Sequence, residues 1–321
     1  MTGICLVLFV TFHALMNAVA ICCPVAYNKV CLFLGANWYA LVASMGLGLL
    51  FVVHIIYALV LTVQNRKARG TDRYAVSVRP KSVEWSSQNM LVLGIVVVAF
   101  LGVHLAQFWA RMQAQEVMGT LYAYEGVEVP AAAGTLFLQF AFQNWWTPVV
   151  YIIGFVALWF HMNHGFWSMW QSCGLDNQVW LPRWKKIAAC WVTVVIALFT
   201  IEAVVFTVRA NQNYYLTDRD LQEQYQEMLN EHFEKISSEI TSEMKSIQME
   251  AQQIQRSNDF SAQIKMQELQ QRFMGLQSEL EKLYSEHNDN VLNLMELGNT
   301  TQEVEEESAL PASVVPEEIT E

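Results

Sequence analysis

The chain has 321 residues, is 54% hydrophobic and carries a formal net charge of −11. Residues 1–210 hold 12 Lys+Arg and 7 Asp+Glu, net +5, whereas residues 211–321 hold 7 Lys+Arg and 23 Asp+Glu, net −16. So uneven a division excludes one soluble globular domain, and the acidity, which belongs to the tail alone, excludes nucleic acid as its partner.

In chain order, five stretches are long and apolar enough to cross a membrane as helices: 3–23, 38–64, 90–110, 147–171 and 187–208. They predict an all-α fold, a bundle of five transmembrane helices over residues 1–210. No Lys or Arg precedes the first stretch, and Ile21 before Cys22 is a poor cleavage or lipidation site, so it reads as a retained helix. It begins almost inside the membrane, which predicts a short segment upstream of Met1. The six cysteines form neither CxxCH nor CxxC, which removes covalent haem attachment and a cysteine metal site. Cys22, Cys23 and Cys31 are either packing thiols or, in an extracytoplasmic loop, disulfide partners.

Basic residues set the expected orientation. Arg66, Lys67, Arg69, Arg73, Arg79 and Lys81 follow the second stretch, and Arg183, Lys185 and Lys186 follow the fourth; the opposite loops hold little beyond Lys29 and Arg111. Positive-inside bias assigns the two basic loops and the N-terminus to the cytoplasm and, after five crossings, the acidic tail to the outside.

Each of the first four stretches contains one central histidine: His13, His54, His104 and His161. His164 lies a turn beyond the last. Ionisable groups are costly in hydrocarbon, and a neutral imidazole is an axial ligand for haem iron. At ~1.5 Å per residue, His13 and His104 sit ~20 Å from the cytoplasmic surface, and His54 and His161 ~15 Å. Two depth-matched pairs predict two b-type haems, an outer one on His13 and His104 and an inner one on His54 and His161. Gly165, four residues after His161, would let a porphyrin or helix approach, which ranks His161 above His164 as the ligand. Gly48 and Gly102 precede His54 and His104 in the same manner.

The segments FHALMN at 12–17, HIIYALVLTVQNRKARGTDRYAV at 54–76, RPKSVEWSSQNM at 79–90 and WFHMNHGFWS at 159–168 resemble one family. It is the cytochrome b membrane anchor of succinate:quinone oxidoreductases (succinate dehydrogenase and fumarate reductase), in its single-subunit, five-helix, two-haem, Bacteroidetes-like class. The resemblance covers residues 1–210. It implies haem ligands on helices one and three and on helices two and four, two haem b groups, and a quinone, menaquinone in particular, as substrate. It also implies a bacterial cytoplasmic membrane and two soluble partners, a flavoprotein carrying FAD and an iron–sulfur protein. The chain itself has no GxGxxG and no cysteine cluster, so dicarboxylate chemistry would belong to those partners. The basic loops, with Trp85 beside the first, are the expected docking surface.

The sequence departs from that family at an acid. Some members carry a glutamate two positions before the helix-four ligand; here that position is Trp159. The one acid within an apolar stretch is Glu202, near the outer end of the fifth, with Arg209 seven residues later. Glu202 is read as a proton acceptor at an outer quinone site, with a snorkelling or Arg-paired structural role as its rival.

In the tail, apolar residues recur at Leu229, Phe233, Ile236, Ile240, Met244, Ile247, Ala251 and Ile254, and again at Met266, Leu269, Phe273, Leu276, Leu280 and Leu283. Steps of three and four predict a coiled coil over 211–298, interrupted at Ser257, Asn258 and Asp259. Either two helices fold back on each other or one long helix joins other copies or an envelope partner through residues 215–297. Residues 299–321 read as a disordered acidic tail. Two further functions stay open at this point: a haem-free membrane scaffold acting through the coiled coil, and the dihaem quinol-oxidising subunit of another respiratory reductase.

Overall fold

Backbone amides in hydrocarbon have no water to pair with, so an apolar stretch of membrane length must satisfy them internally as a helix. The computed structural model describes residues 2–69, 84–124, 126–255 and 260–309, and they are almost entirely helical. In order come α1 (Thr2–Cys22), α2 (Pro24–Ala36), α3 (Trp38–Arg69), α4 (Trp85–Gln88), α5 (Met90–His104), a π-helical turn (Leu105–Trp109) and α6 (Gln113–Met118). A two-stranded antiparallel hairpin, β1 (Tyr122–Tyr124) and β2 (Val127–Val129), follows. Then come α7 (Gly134–Phe142), α8 (Trp146–Ser172), α9 (Trp180–Asn211), α10 (Tyr214–Thr217), α11 (Arg219–Ile254) and α12 (Phe260–Ala309). Five segments, Thr2–Cys22, Trp38–Ala68, Met90–Trp109, Trp146–Ser172 and Trp180–Asn211, are long and apolar enough to cross a membrane.

Helix ends differ from the sequence reading where basic residues lie. Arg66, Lys67 and Arg69 belong to the last turn of α3, and Arg183, Lys185 and Lys186 to the first turns of α9, so these are helix termini and not loops. Lys and Arg are good helix formers whose apolar stems lie along the helix while the charge stays outside. Arg73, Arg79 and Lys81 lie outside the described residues. Next to the basic end of α9, Trp170 and Trp184 stack at 4.5 Å and Arg183 covers Trp180 at 5.1 Å, an aromatic girdle of the kind that marks an interface.

The chain divides into two compact units, residues 1–120 with 131–214, and residues 121–130 with 215–321. In the first unit, α1 and α9 run parallel: Thr11 meets Trp191, His13 meets Phe199, and Arg209 reaches the last turn of α1. The connectors α2 and α7 are folded pieces that hydropathy did not predict. Pro24 opens α2 at the position where a missing N–H costs nothing. Asn28, fully buried, accepts hydrogen bonds at 2.9 Å from both the Thr135 amide and hydroxyl, capping α7 from a neighbouring helix. A side chain at Gly134 would come within 2.5 Å of Cys31 Sγ, so only glycine fits, and burial pushes the Cys31 thiol up to about 12. All six cysteines are free thiols in this structure.

In the second unit, Asp218 caps α11 by accepting the Leu221 amide at 3.1 Å. Helices α11 and α12 lie antiparallel: Glu243 pairs with Arg272, Phe233 packs on Tyr284 and His287, and Asn230 bonds His287. The fold-back alternative is therefore the one observed; the interruption at 257–259 itself lies outside the described residues. The structure groups two segments differently from the expected boundaries. The loop segment 121–130 belongs with the tail unit, because Asn290 of α12 clamps β2, accepting the Glu128 amide at 2.6 Å and donating to the Glu128 carbonyl at 2.9 Å. And α12 continues to Ala309, past the boundary drawn at 298, through Gln and Glu residues that favour helix; residues 310–321 lie outside the described part.

Candidate functional site

Four helices each contribute one histidine, and the fold brings them together two by two. The rings of His13 on α1 and His104 at the end of α5 have centres 5.7 Å apart and planes at 82°. Those of His54 on α3 and His161 on α8 lie 6.2 Å apart at 70°.

Neighbouring contacts fix the spacing of the pairs. On α1, Thr2 touches His54 and His13 touches His104; on α5, Gly94 lies against His161 ten residues before His104; on α8, Tyr151 bonds His104 ten residues before His161. Separations of ten or eleven residues place the pairs ~15–16 Å apart along each of three helix axes. The same contacts show that α1 and α5 run one way and α8 the other.

A helix–helix crossing sets up the first pair. At Gly154 an added Cβ would fall 2.5 Å from the Phe100 ring, so α5 and α8 approach as closely as a glycine allows. That approach puts the Tyr151 hydroxyl 3.1 Å from His104 Nδ1. Tyr151 in turn donates to Gln107 Oε1 at 3.0 Å, and Gln107 Nε2 donates to Thr147 Oγ1 at 3.2 Å. All three are buried. Gln107 sits inside the π-helical turn that starts at the residue after His104, with the Ala110 amide bonded to the Leu105 carbonyl five residues back. Such turns recur at functional sites. On the facing side, Asn17 Nδ2 lies 3.4 Å from His13 Nε2.

The second pair is supported differently. Thr2 Oγ1 lies 3.2 Å from His54 Nδ1, while His161 Nδ1 is buried with no hydrogen-bond partner. His164 does not join this pair. Its ring packs on Trp167, and its Nδ1 lies 3.9 Å from Glu84, which is itself paired to Lys185 at 2.7 Å. A Cβ at Gly48, Gly102 or Gly165 would enter open space; the glycine beside a pair histidine is Gly94, from another helix. Trp85 packs edge-on against Phe160, one residue before His161.

Glu202 is 2% exposed on α9 with neither carboxylate oxygen hydrogen-bonded. The Arg-paired role is corrected: Arg209 donates to the Ala20 and Ile21 carbonyls at 2.8 and 2.9 Å, capping α1. The snorkelling role fails with it, since Glu202 is buried. Phe199, one helical turn before Glu202, lies 6.0 Å from His13.

Among the described residues no three His, Cys, Asp or Glu side chains converge as a metal site. A haem iron takes two axial side chains, so pairs are the arrangement to test. With a metal–nitrogen bond of about 2.0–2.1 Å and the ring centre about 1 Å beyond the nitrogen, two imidazoles on opposite faces of one iron would hold their centres about 6 Å apart. Both observed pairs lie near that distance, at 5.7 and 6.2 Å. No protein-family model, curated protein or solved structure matches the chain.

Proposed function

We propose that this chain is the membrane-anchoring cytochrome b subunit of a succinate:quinone oxidoreductase, carrying electrons between quinone in the membrane and an iron–sulfur partner. The observation that carries the reading is the pair of facing histidine couples, each with the ring separation of a bis-imidazole iron and ~15–16 Å apart along the helices. The family resemblance of residues 1–210 selects this reading over other dihaem subunits, because the four rings come from four helices, one each.

His13 and His104 would hold the outer haem b, His54 and His161 the inner one. The haems supply one-electron carriers in each half of the bilayer. The protein's own part is to keep the rings neutral, oriented and shielded from water. Tyr151 and Thr2 meet the Nδ1 atoms of His104 and His54 by hydrogen bonds. Glu202 accepts the proton released when quinol is oxidised near the outer pair. Arg66, Lys67, Lys185 and Lys186 face the cytoplasm in this orientation and meet the flavoprotein and iron–sulfur subunits, where FAD and the clusters reside. The tail is then an extracytoplasmic antiparallel coiled coil that joins copies of the complex or an envelope partner.

The test is a reduced-minus-oxidised spectrum and haem quantification of the purified complex, with succinate- and quinol-linked assays. Two haems b per chain and selective loss of one in each histidine variant are expected. A complex without haem would leave the haem-free scaffold.

A further inference from the structure

The geometry points to Tyr151, backed by Gln107, as the positioning residue that fixes the tautomer and plane of His104 for metal binding at the outer pair. This rests on the haem reading above. The argument is one of proton counting. A tyrosine hydroxyl has a single proton, and here it is donated to Gln107 Oε1 at 3.0 Å. The hydroxyl oxygen therefore faces His104 Nδ1, 3.1 Å away, with lone pairs only, and Nδ1 must carry the imidazole proton. That leaves Nε2 with the free lone pair. A neutral histidine can present either nitrogen; this chain of bonds selects one.

In this orientation Gln107 Nε2 donates to Thr147 Oγ1, and Gln107, Thr147 and Tyr151 are 6%, 0% and 5% exposed, so the three groups satisfy one another away from water. The Tyr151 ring is held edge-on by Phe100, Phe142 and Phe155 at 5.1, 5.2 and 5.9 Å. Breaking any link would leave a buried polar group unmet, which costs more than the bond itself contributes. Serial bonds of this kind also polarise one another, so the Tyr151 oxygen is a stronger acceptor than an isolated phenol.

A hydrogen bond accepted from the distal nitrogen of a metal-bound histidine makes the ring more basic and holds its plane. A more basic ligand favours the oxidised metal. In the second pair His161 Nδ1 has no partner and His54 Nδ1 meets the lone Thr2 hydroxyl, with no buried chain behind it, so that pair serves as a control within the same molecule.

The experiment is a redox titration of the purified complex, resolving the two haems optically and by EPR. In Tyr151→Phe the outer midpoint potential should rise and its ferric EPR anisotropy change as the His104 ring is freed from its 82° relation to His13, with the inner haem unmoved. Gln107→Leu, which keeps the phenol, should shift the outer potential the same way by less; Thr147→Ser should match the unaltered protein. Two bound haems with an unmoved or lowered outer potential in Tyr151→Phe would overturn the inference. If that variant fails to assemble, Gln107→Leu decides by the same criterion. An unaltered complex that contains no haem would instead sink the underlying reading.

Discussion

The pairs His13/His104 and His54/His161, outer and inner in the proposed orientation, are alike in ring separation and unlike in what stands behind the rings. Behind His104 is a buried three-residue chain running through a π-helical turn into α8, and beside His13 are Asn17 and, across α9, Phe199. Behind the inner pair are a single threonine hydroxyl and an unpartnered nitrogen. The lesson is that helix packing alone can bring two rings face to face, whereas fixing the tautomer of a ring needs a polar chain, and among the described residues the His13/His104 pair has one. Glu202, buried and unpartnered on α9 one turn after the Phe199 that meets His13, adds to the same asymmetry.

The strongest way to break the comparison is to remove a ring. His104→Ala or His13→Ala should abolish the outer haem and leave the inner spectrum, and His54→Ala or His161→Ala the reverse, each reducing haem from two per chain to one. Normal spectra in His161→Ala would transfer its role to His164, despite the contact of that ring with Glu84 and Trp167.

Next in size is Glu202→Gln. General acid–base groups contribute about 10²-fold or more, so quinol-linked turnover should fall on that order while both haems stay bound and succinate oxidation with an artificial acceptor is unchanged. Turnover that is unaffected across pH would reduce Glu202 to a packing residue and weaken the asymmetry.

A smaller effect is expected at the less supported pair. Thr2→Val removes one hydrogen bond to His54, worth about 0.5–1.5 kcal/mol, and should lower thermal retention of the inner haem without touching the outer. Equal effects on both haems would mean that the pairs are not independently held.

The smallest effect on the haems, none, is expected from Asn290→Ala. It removes both hydrogen bonds to the Glu128 amide and carbonyl, about 0.5–1.5 kcal/mol each, so the tail unit should become protease-sensitive. Truncation at residue 215 would remove the same clamp and should change assembly size in mild detergent. A haem change in either variant would show that the pairs depend on more than the bundle.

How much of this was legible in the sequence can be argued residue by residue. The five apolar stretches and the four central histidines could be read directly, because hydrocarbon forces helices and makes an ionisable side chain conspicuous. The fold-back of the tail could not be chosen from its seam, since steps of three and four suit an antiparallel partner from the same chain or from another. Connectors α2 and α7 were missed because they fall below membrane length, although every residue of α7 is buried. Gly94 and Gly154 were passed over for Gly165, since a glycine's value lies in what faces it from a different helix.

The sequence by itself determined which residues must be helical and which side chains are out of place in an apolar core, because both follow from local composition and transfer energy. Tertiary structure alone decided the rest: that Tyr151, Gln107 and Thr147 align behind His104, that Arg209 caps α1 and leaves Glu202 unpaired, and that Asn290 holds a strand from residues 121–130. Each is a hydrogen bond between side chains or backbones far apart in the chain, and its partner is set by helix crossing and rotation, which no periodicity in a single stretch encodes.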